Sequence, residues 1–246
     1  MPADPSPRSA RAQLAAIAEV AGSTRFDAFA GLPTGEDSRP AAVLILFGVL
    51  DSLASTHIAQ ADNVSRDLDV LLLARASTLR SHPGQVAFPG GRVDPGDDGP
   101  IAAALREAQE ETGLDPAGVE VLGTLADIPL AYSRHHVTPV LAWWRHPSPV
   151  RVVDEAESSD VFRAPVADLL DPANRGVTVV RRGGQEWRGP GFVVPHAHGE
   201  HLVWGFTGTV LDGLFDRLGW TEPWDADREL PIVVPGFDTS EATSSR

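Results

Sequence analysis

The chain has 246 residues, 42% of them hydrophobic, which is enough for one domain with a full core. Its formal net charge of −14 argues against non-specific binding to nucleic acid or to an anionic membrane surface. It contains no cysteine, which excludes a disulfide frame or thiolate metal site and fits a reducing cytoplasm, the expected location.

Residues 1–10 are rich in proline and serine and are expected to be mobile, and no charged-then-apolar leader opens the chain. Arg11 to Val20 reads as a short Ala-rich helix. The longest apolar stretch, Ala41 to Leu50, is too short to cross a membrane and reads as a buried strand over Ala42 to Val49. A polar loop at residues 51–67 leads to a second strand, Leu68 to Arg75. A helix follows near residue 100, then strands at Val119 to Gly123 and Thr138 to Trp144. Val161-Phe162 ends a strand, and Ala167 to Leu170 forms a short helix. Thr178 to Arg181 and Glu186 to Val194 read as a hairpin around Gly183-Gly184. Leu202 to Leu218 is predicted as an amphipathic helix, with Val203, Phe206, Val210, Leu211, Leu214 and Leu218 on its apolar face. The tail, 238–246, is polar and expected to be disordered. No repeat or linker divides the chain, so residues 11–237 read as one domain, with strands and helices interspersed around one layered core.

The helix near residue 100 carries the chemistry. Asp97 or Asp98 can cap it, Pro100 suits its first turn, and Gly113 supplies its stop. Ile101, Leu105 and Ala108 are expected to pack against a sheet. Glu107, Glu110 and Glu111 sit at i, i+3 and i+4 and share one face. Like charges at that spacing cost a helix a few tenths of a kcal/mol per pair, roughly, unless a cation lies between them. Hard oxygen ligands of this kind suit Mg²⁺ or Mn²⁺. Arg106 can pair with Glu110 one turn on. The preceding Phe88-Pro89-Gly90-Gly91 turn can bring backbone carbonyls beside the acidic face.

These residues resemble the Nudix hydrolase signature, G-x5-E-x7-R-E-U-x-E-E-x-G-U, where U is aliphatic. Arg106-Glu107-Ala108-Gln109-Glu110-Glu111-Thr112-Gly113-Leu114 matches its second half. The first half departs from it: Asp97 stands where glutamate is expected, and one extra residue precedes Arg106. That departure is similar to the coenzyme A diphosphatase branch, whose box reads roughly GG-x-x-D-x-x-D and is matched by Asp94 and Asp97. The branch also carries an upstream segment close to Leu71-Leu72-Leu73-Ala74-Arg75-Ala76-Ser77-Thr78-Leu79-Arg80-Ser81-His82-Pro83-Gly84-Gln85-Val86-Ala87-Phe88-Pro89-Gly90-Gly91. Leu73 and Ala76 replace a Thr and a Ser of that segment. Val203-Trp204-Gly205-Phe206-Thr207-Gly208 resembles the branch's WG-x-T-A run.

The resemblance implies an α/β (α+β) fold with a mixed sheet between helices. It also implies a metal-dependent diphosphatase that splits coenzyme A or acyl-coenzyme A into 3′,5′-ADP and (acyl-)4′-phosphopantetheine. Glu107 and Glu111 would be the main ligands of Mg²⁺ or Mn²⁺, with Glu110 a further ligand or base and the Gly91 carbonyl completing the set. Arg106 would orient a carboxylate. Because the chain is acidic and a diphosphate anionic, local positive charge is needed. Arg75, Arg80, His82 and Arg92 crowd the glycine turn and can supply it. Gln85, Phe88 and Gly90 complete the expected substrate contacts, with the pantetheine arm near Phe88. Glu155 or Glu157 can act as the base outside the box. His135 and His136 lie where related enzymes have a substrate-facing loop, and His196, His198, Glu200 and His201 form a cluster read as a polar loop rather than a metal site.

Other readings stay open at this stage. The substrate can be another nucleoside diphosphate derivative such as NADH or ADP-ribose, or the chain can be a Nudix-fold binding module. No nucleic acid or membrane partner is expected, and a homodimer remains open.

Overall fold

The computed structural model describes residues 9–20, 29, 38–49, 54–78, 84–130, 134–182, 185–196 and 199–232. The expected mobile start, the 238–246 tail, the Gly183-Gly184 turn, Tyr132-Ser133, His198, Arg80 and His82 lie outside the described residues, as does Leu50. Helix α1 spans Ala10–Glu19, followed by strands β1 (Arg39–Val49), β2 (Leu68–Arg75), β3 (Val86–Ala87) and β4 (Gly90–Arg92). Helix α2 spans Pro100–Thr112, then come β5 (Val119–Thr124), β6 (Ile128–Leu130), β7 (His135–Trp144) and β8 (Ser158–Pro165). The remainder is α3 (Val166–Leu170), β9 (Arg175–Arg182), β10 (Gln185–His196), β11 (Gly199–Val203), α4 (Gly205–Leu218) and β12 (Glu229–Leu230).

Two sheets result, so the fold is the expected mixture of sheet and helix. The larger is eight-stranded, with order β3-β2-β1-β7-β5, while β4 pairs with β1, β6 with β7 and β8 with β2. It is mixed: β1 runs parallel to β7, Leu44 opposite Val140, and antiparallel to β2, Phe47 opposite Val70. The smaller sheet has order β11-β10-β9-β12.

The continuous apolar run of β1 is explained by burial on both faces. Ala42, Leu44 and Leu46 join Ala103, Ala104 and Ala108 of α2 on one side. Ile45 and Phe47 face the larger core with Leu14 of α1, Leu169 of α3 and Leu214 of α4. Phe192, Val194 and Val203 of the smaller sheet enter the same core. Among the described residues no helix is long and apolar enough to cross a membrane.

Several expectations change. Neither Asp97 nor Asp98 caps α2; Gly99 holds that position at φ 88° without a side-chain bond. Asp97 is drawn instead to Arg106, an ionic partner that a helix cap cannot match. The packing face of α2 is Ala103, Ala104, Ala108 and Thr112, with Leu105 packed beside it as expected, while Ile101 is 38% exposed. Small side chains let the helix approach the sheet closely, and a larger apolar residue is tolerated at the rim. The predicted helix at Leu202 begins late: Leu202 and Val203 end β11, because β10 offers them a ladder, Phe192 opposite Val203. His135 and His136 start β7 rather than forming a loop, since their backbone pairs with Arg39 and Pro40. His196 and His201 likewise lie on paired strands. Phe88 is 3% exposed and packs in the larger core, so its expected contact with substrate gives way to a structural one.

Candidate active site

Strand β4 and helix α2 bring the site together. Val43, Ala42 and Ala41 of β1 pair with Gly90, Gly91 and Arg92, which fixes the glycine pair at the edge of α2. Both glycines stand in close contact, Gly90 with backbone and Gly91 with a side chain. A Cβ on Gly90 would collide with the Ala42 carbonyl and Val43, and one on Gly91 would lie 2.5 Å from Glu107 Cδ. The chain therefore presents bare backbone to the acidic face.

The three glutamates are held differently. The Gly90 amide donates to Glu111 Oε2 at 2.9 Å. Glu107 lies against Gly91 and accepts from Arg106 Nη1 at 3.1 Å. Glu110 is 58% exposed and shares Arg106 Nη1 with Glu107, at 3.0 Å.

Arg106 forms the hub. It also donates Nε and Nη2 to Asp97 at 3.0 and 2.9 Å, and Nη2 to the Arg92 carbonyl at 3.0 Å. Ion pairs that solvent reaches contribute little to stability, so the main consequence of this network is positional. It ties the glycine turn, the Asp94–Asp97 turn and α2 into one unit. Asp97 also accepts from the Asp94 amide at 2.8 Å. The Arg106 bond, then that amide, hold its carboxyl below the usual range. The part played by Asp97 was hidden in the sequence, although its spacing nine residues before Arg106 is the signal that a loop can bring back to the helix.

Burial pushes the Glu111 carboxyl up to about 7, against the Gly90 bond that favours its charged form. The charges of Glu107 and Glu157 push it further up, and that of Arg75 opposes them. Burial likewise raises Glu107, opposed by the bond from Arg106. Two partly buried carboxylates beside the bare Gly90-Gly91 backbone match a hard divalent cation.

Of the remaining site residues, Arg75 and Gln85 come together: the Arg75 amide donates to the Gln85 carbonyl at 2.9 Å. Arg92 is exposed at the glycine turn. Glu157 immediately precedes β8, and its charge reaches Glu111.

A Nudix domain model matches residues 56–183, just over half the chain. The chain belongs to the Nudix hydrolase family and is a pyrophosphohydrolase acting on a nucleoside diphosphate derivative, a class that uses divalent metals. It is similar to NudL of Photorhabdus laumondii, described as an uncharacterized Nudix hydrolase, at 39% identity over 149 residues, 61% of this chain and 76% of that one. It is 38% identical to the NudL of Shigella flexneri over 152 residues, 62% of this chain and 76% of that one. Among solved structures, a MutT/nudix family protein from Enterococcus faecalis aligns with 76% of this chain and 64% of its own, at 18% identity and a TM-score of 0.45.

Proposed function

We propose that this enzyme hydrolyses the diphosphate bond of coenzyme A or an acyl-coenzyme A, releasing 3′,5′-ADP and (acyl-)4′-phosphopantetheine. The observation that carries this reading is the run from Leu71 to Gly91 with Asp94 and Asp97 behind it, which resembles the coenzyme A diphosphatase branch almost throughout. Its two departures fall in the interior: Leu73 and Ala76 are both buried. They alter packing rather than the surface that meets a substrate.

Glu107, Glu111 and the Gly91 carbonyl would hold Mg²⁺ or Mn²⁺. When bound, the cation lowers the pKa of a water molecule and neutralises phosphate oxygens. Arg106 acts as a positioning residue, keeping Glu107 and the glycine turn in register while Glu110 serves as its counter-charge. Glu157 is the base that removes the proton from the attacking water, which adds to one phosphorus as the bridging P–O bond breaks. Arg75, Gln85 and Arg92, with Arg80 and His82 of the Leu71 to Gly91 run, receive the substrate. Arginine suits the phosphate oxygens through its planar fork of donors.

A hydrolysis panel with Mg²⁺ and Mn²⁺ tests the reading, offering coenzyme A, acetyl-coenzyme A, NADH and ADP-ribose, with products identified by mass. Release of 3′,5′-ADP from the coenzyme A compounds well above all other turnover supports it. Preferred turnover of NADH or ADP-ribose overturns the substrate assignment while keeping the metal chemistry.

A further inference from the structure

A second cluster of ligating side chains lies where the two sheets meet. Asp160 sits on β8 of the larger sheet, opposite Ala74. His196 and His201 come from the β10–β11 hairpin of the smaller one. Val194 pairs with His201, so His196, two residues further along β10, shares the face that His201 presents. The two rings lie 5.1 Å apart, centroid to centroid. Both turn Nε2 toward the same carboxylate oxygen, Asp160 Oδ2, at 2.8 Å from His201 and 3.5 Å from His196. Donor atoms of all three residues fall within 4.8 Å of one another. No other group of three or more His, Asp or Glu among the described residues converges so tightly, including the three glutamates of α2.

We propose that Asp160, His196 and His201 form a site for a transition-metal dication of the Zn²⁺ class, separate from the cation site of α2. Around Zn²⁺ at ~2.1 Å, tetrahedral donors lie about 3.4 Å apart, close to the 3.5 Å between Asp160 and His196, while the 2.8 Å hydrogen bond between Asp160 and His201 would lengthen to admit the ion. Two imidazole nitrogens and one carboxylate oxygen suit Zn²⁺, Co²⁺ or Ni²⁺, whereas Mg²⁺ prefers oxygen alone. The ligands are supported from behind. Phe162, two residues beyond Asp160 on the same strand face, stacks on His201 at 4.3 Å and 12° and lies 5.9 Å from His196. A cavity of about 280 Å³, lined also by Ser159, Gly199 and Glu200, opens on the cluster. Three protein ligands with an open approach leave a fourth position for water or a ligand atom.

The alternative is a bare Asp–His ion pair. Partly exposed pairs of that kind contribute little, and a single oxygen shared by two imidazoles is better satisfied by a cation between them. Metal bound here joins β8 to the β10–β11 hairpin, so it ties the two sheets together and stabilises the folded chain by binding only the native state. This inference does not depend on which diphosphate the enzyme hydrolyses.

Equilibrium dialysis of the full chain against Zn²⁺, after chelation and with millimolar Mg²⁺ present, tests it. The expected result is one tightly held Zn²⁺ in wild type and in the E107Q/E111Q double variant. H196Q and H201Q should each weaken it at least ~10-fold. Zn²⁺ near 100 times its Kd should raise the wild-type Tm by roughly 5–10 °C. Co²⁺ in place of Zn²⁺ should give visible absorption bands of four-coordinate nitrogen and oxygen ligation in wild type, a readout independent of whether any variant folds. Absence of these bands overturns the proposal. So does Zn²⁺ binding that H196Q and H201Q leave unchanged, or that the double variant abolishes.

Discussion

The Gly90 amide and the Glu111 carboxylate are joined by a 2.9 Å hydrogen bond that crosses from strand β4 to helix α2. The same short segment sets Gly91 directly against Glu107. Successive glycines thus fix successive inward carboxylates, one by donating a proton and the other by having no side chain. The alanine face of α2 makes this approach close enough, since Ala103, Ala104 and Ala108 are fully buried against the sheet.

Gly91→Ala tests that contact. Gly91 lies outside the positive-φ region, so the backbone accepts alanine and only the Glu107 carboxylate must move. Displacement of a reacting group by about 1 Å costs ~100-fold in rate. The expected outcome is a kcat lower by about that factor with a Tm near wild type. Gly90→Ala, which strikes the β1 backbone, should lower the Tm as well. Steady-state kinetics and thermal unfolding separate the two, and an unchanged kcat in Gly91→Ala would remove the role given to the contact.

The raised Glu111 carboxyl sets a pH dependence in metal-free protein. Its folded value of about 7 lies above the ordinary carboxylate value. Between the two, the native state binds more protons than the unfolded state, so stability falls as pH rises from ~4 to 7 and the loss is complete above that. Glu111→Gln should therefore be more stable relative to wild type at pH 8 than at pH 4 when metal is absent. Added Mg²⁺ or Mn²⁺ should narrow the gap at pH 8 by stabilising the ionised form. Denaturant melts at both pH values check this; a gap independent of pH would contradict it. The same variant should lose at least ~100-fold in kcat.

Arg106→Lys keeps the charge and loses the planar fork that reaches Asp97, Glu107, Glu110 and the Arg92 carbonyl. A residue that acts through others should affect rate and metal affinity more than substrate affinity. The expected changes are a 10- to 100-fold fall in kcat and weaker metal activation, roughly, with KM nearly constant. A large rise in KM alone would instead place Arg106 on the substrate.

The charge of Glu157 acts on Glu111, which favours it over Glu155 as the base of the proposed reaction. Glu157→Gln should reduce kcat ~100-fold and flatten the acidic limb of the pH–rate profile. Glu155→Gln should leave both unchanged. Equal effects, or the reverse order, would move the base elsewhere.

Much of this arrangement is legible along the chain because its signals are local. Leu68 to Arg75 is a strand with the expected bounds, since the apolar run Val70 to Ala74 identifies burial on both faces. Gly113 ends α2 at φ 70°, as its place after the acidic run implies. The spacing of Arg106 and Glu110 alone leads to their ion pair. The expected roles went astray where a residue had two partners to choose between. Asp97 can cap a helix in sequence terms, but a guanidinium nine residues on competes more strongly than a backbone amide. Leu202 and Val203 fit a helical period, yet β10 supplies a ladder that periodicity does not register.

The sequence by itself determined the Nudix motif, the three-glutamate face and the glycine turn, because each depends on fixed spacing within a few residues. Only the tertiary structure decided that Glu110 stays exposed, that Phe88 is core, that the charge of Glu157 reaches Glu111, and that Asp160 meets His196 and His201. Those outcomes depend on which strands become neighbours. Strand pairing places residues 35 or more positions apart within a few ångströms, and it is the burial there, absent from any local window, that sets their charge and their company.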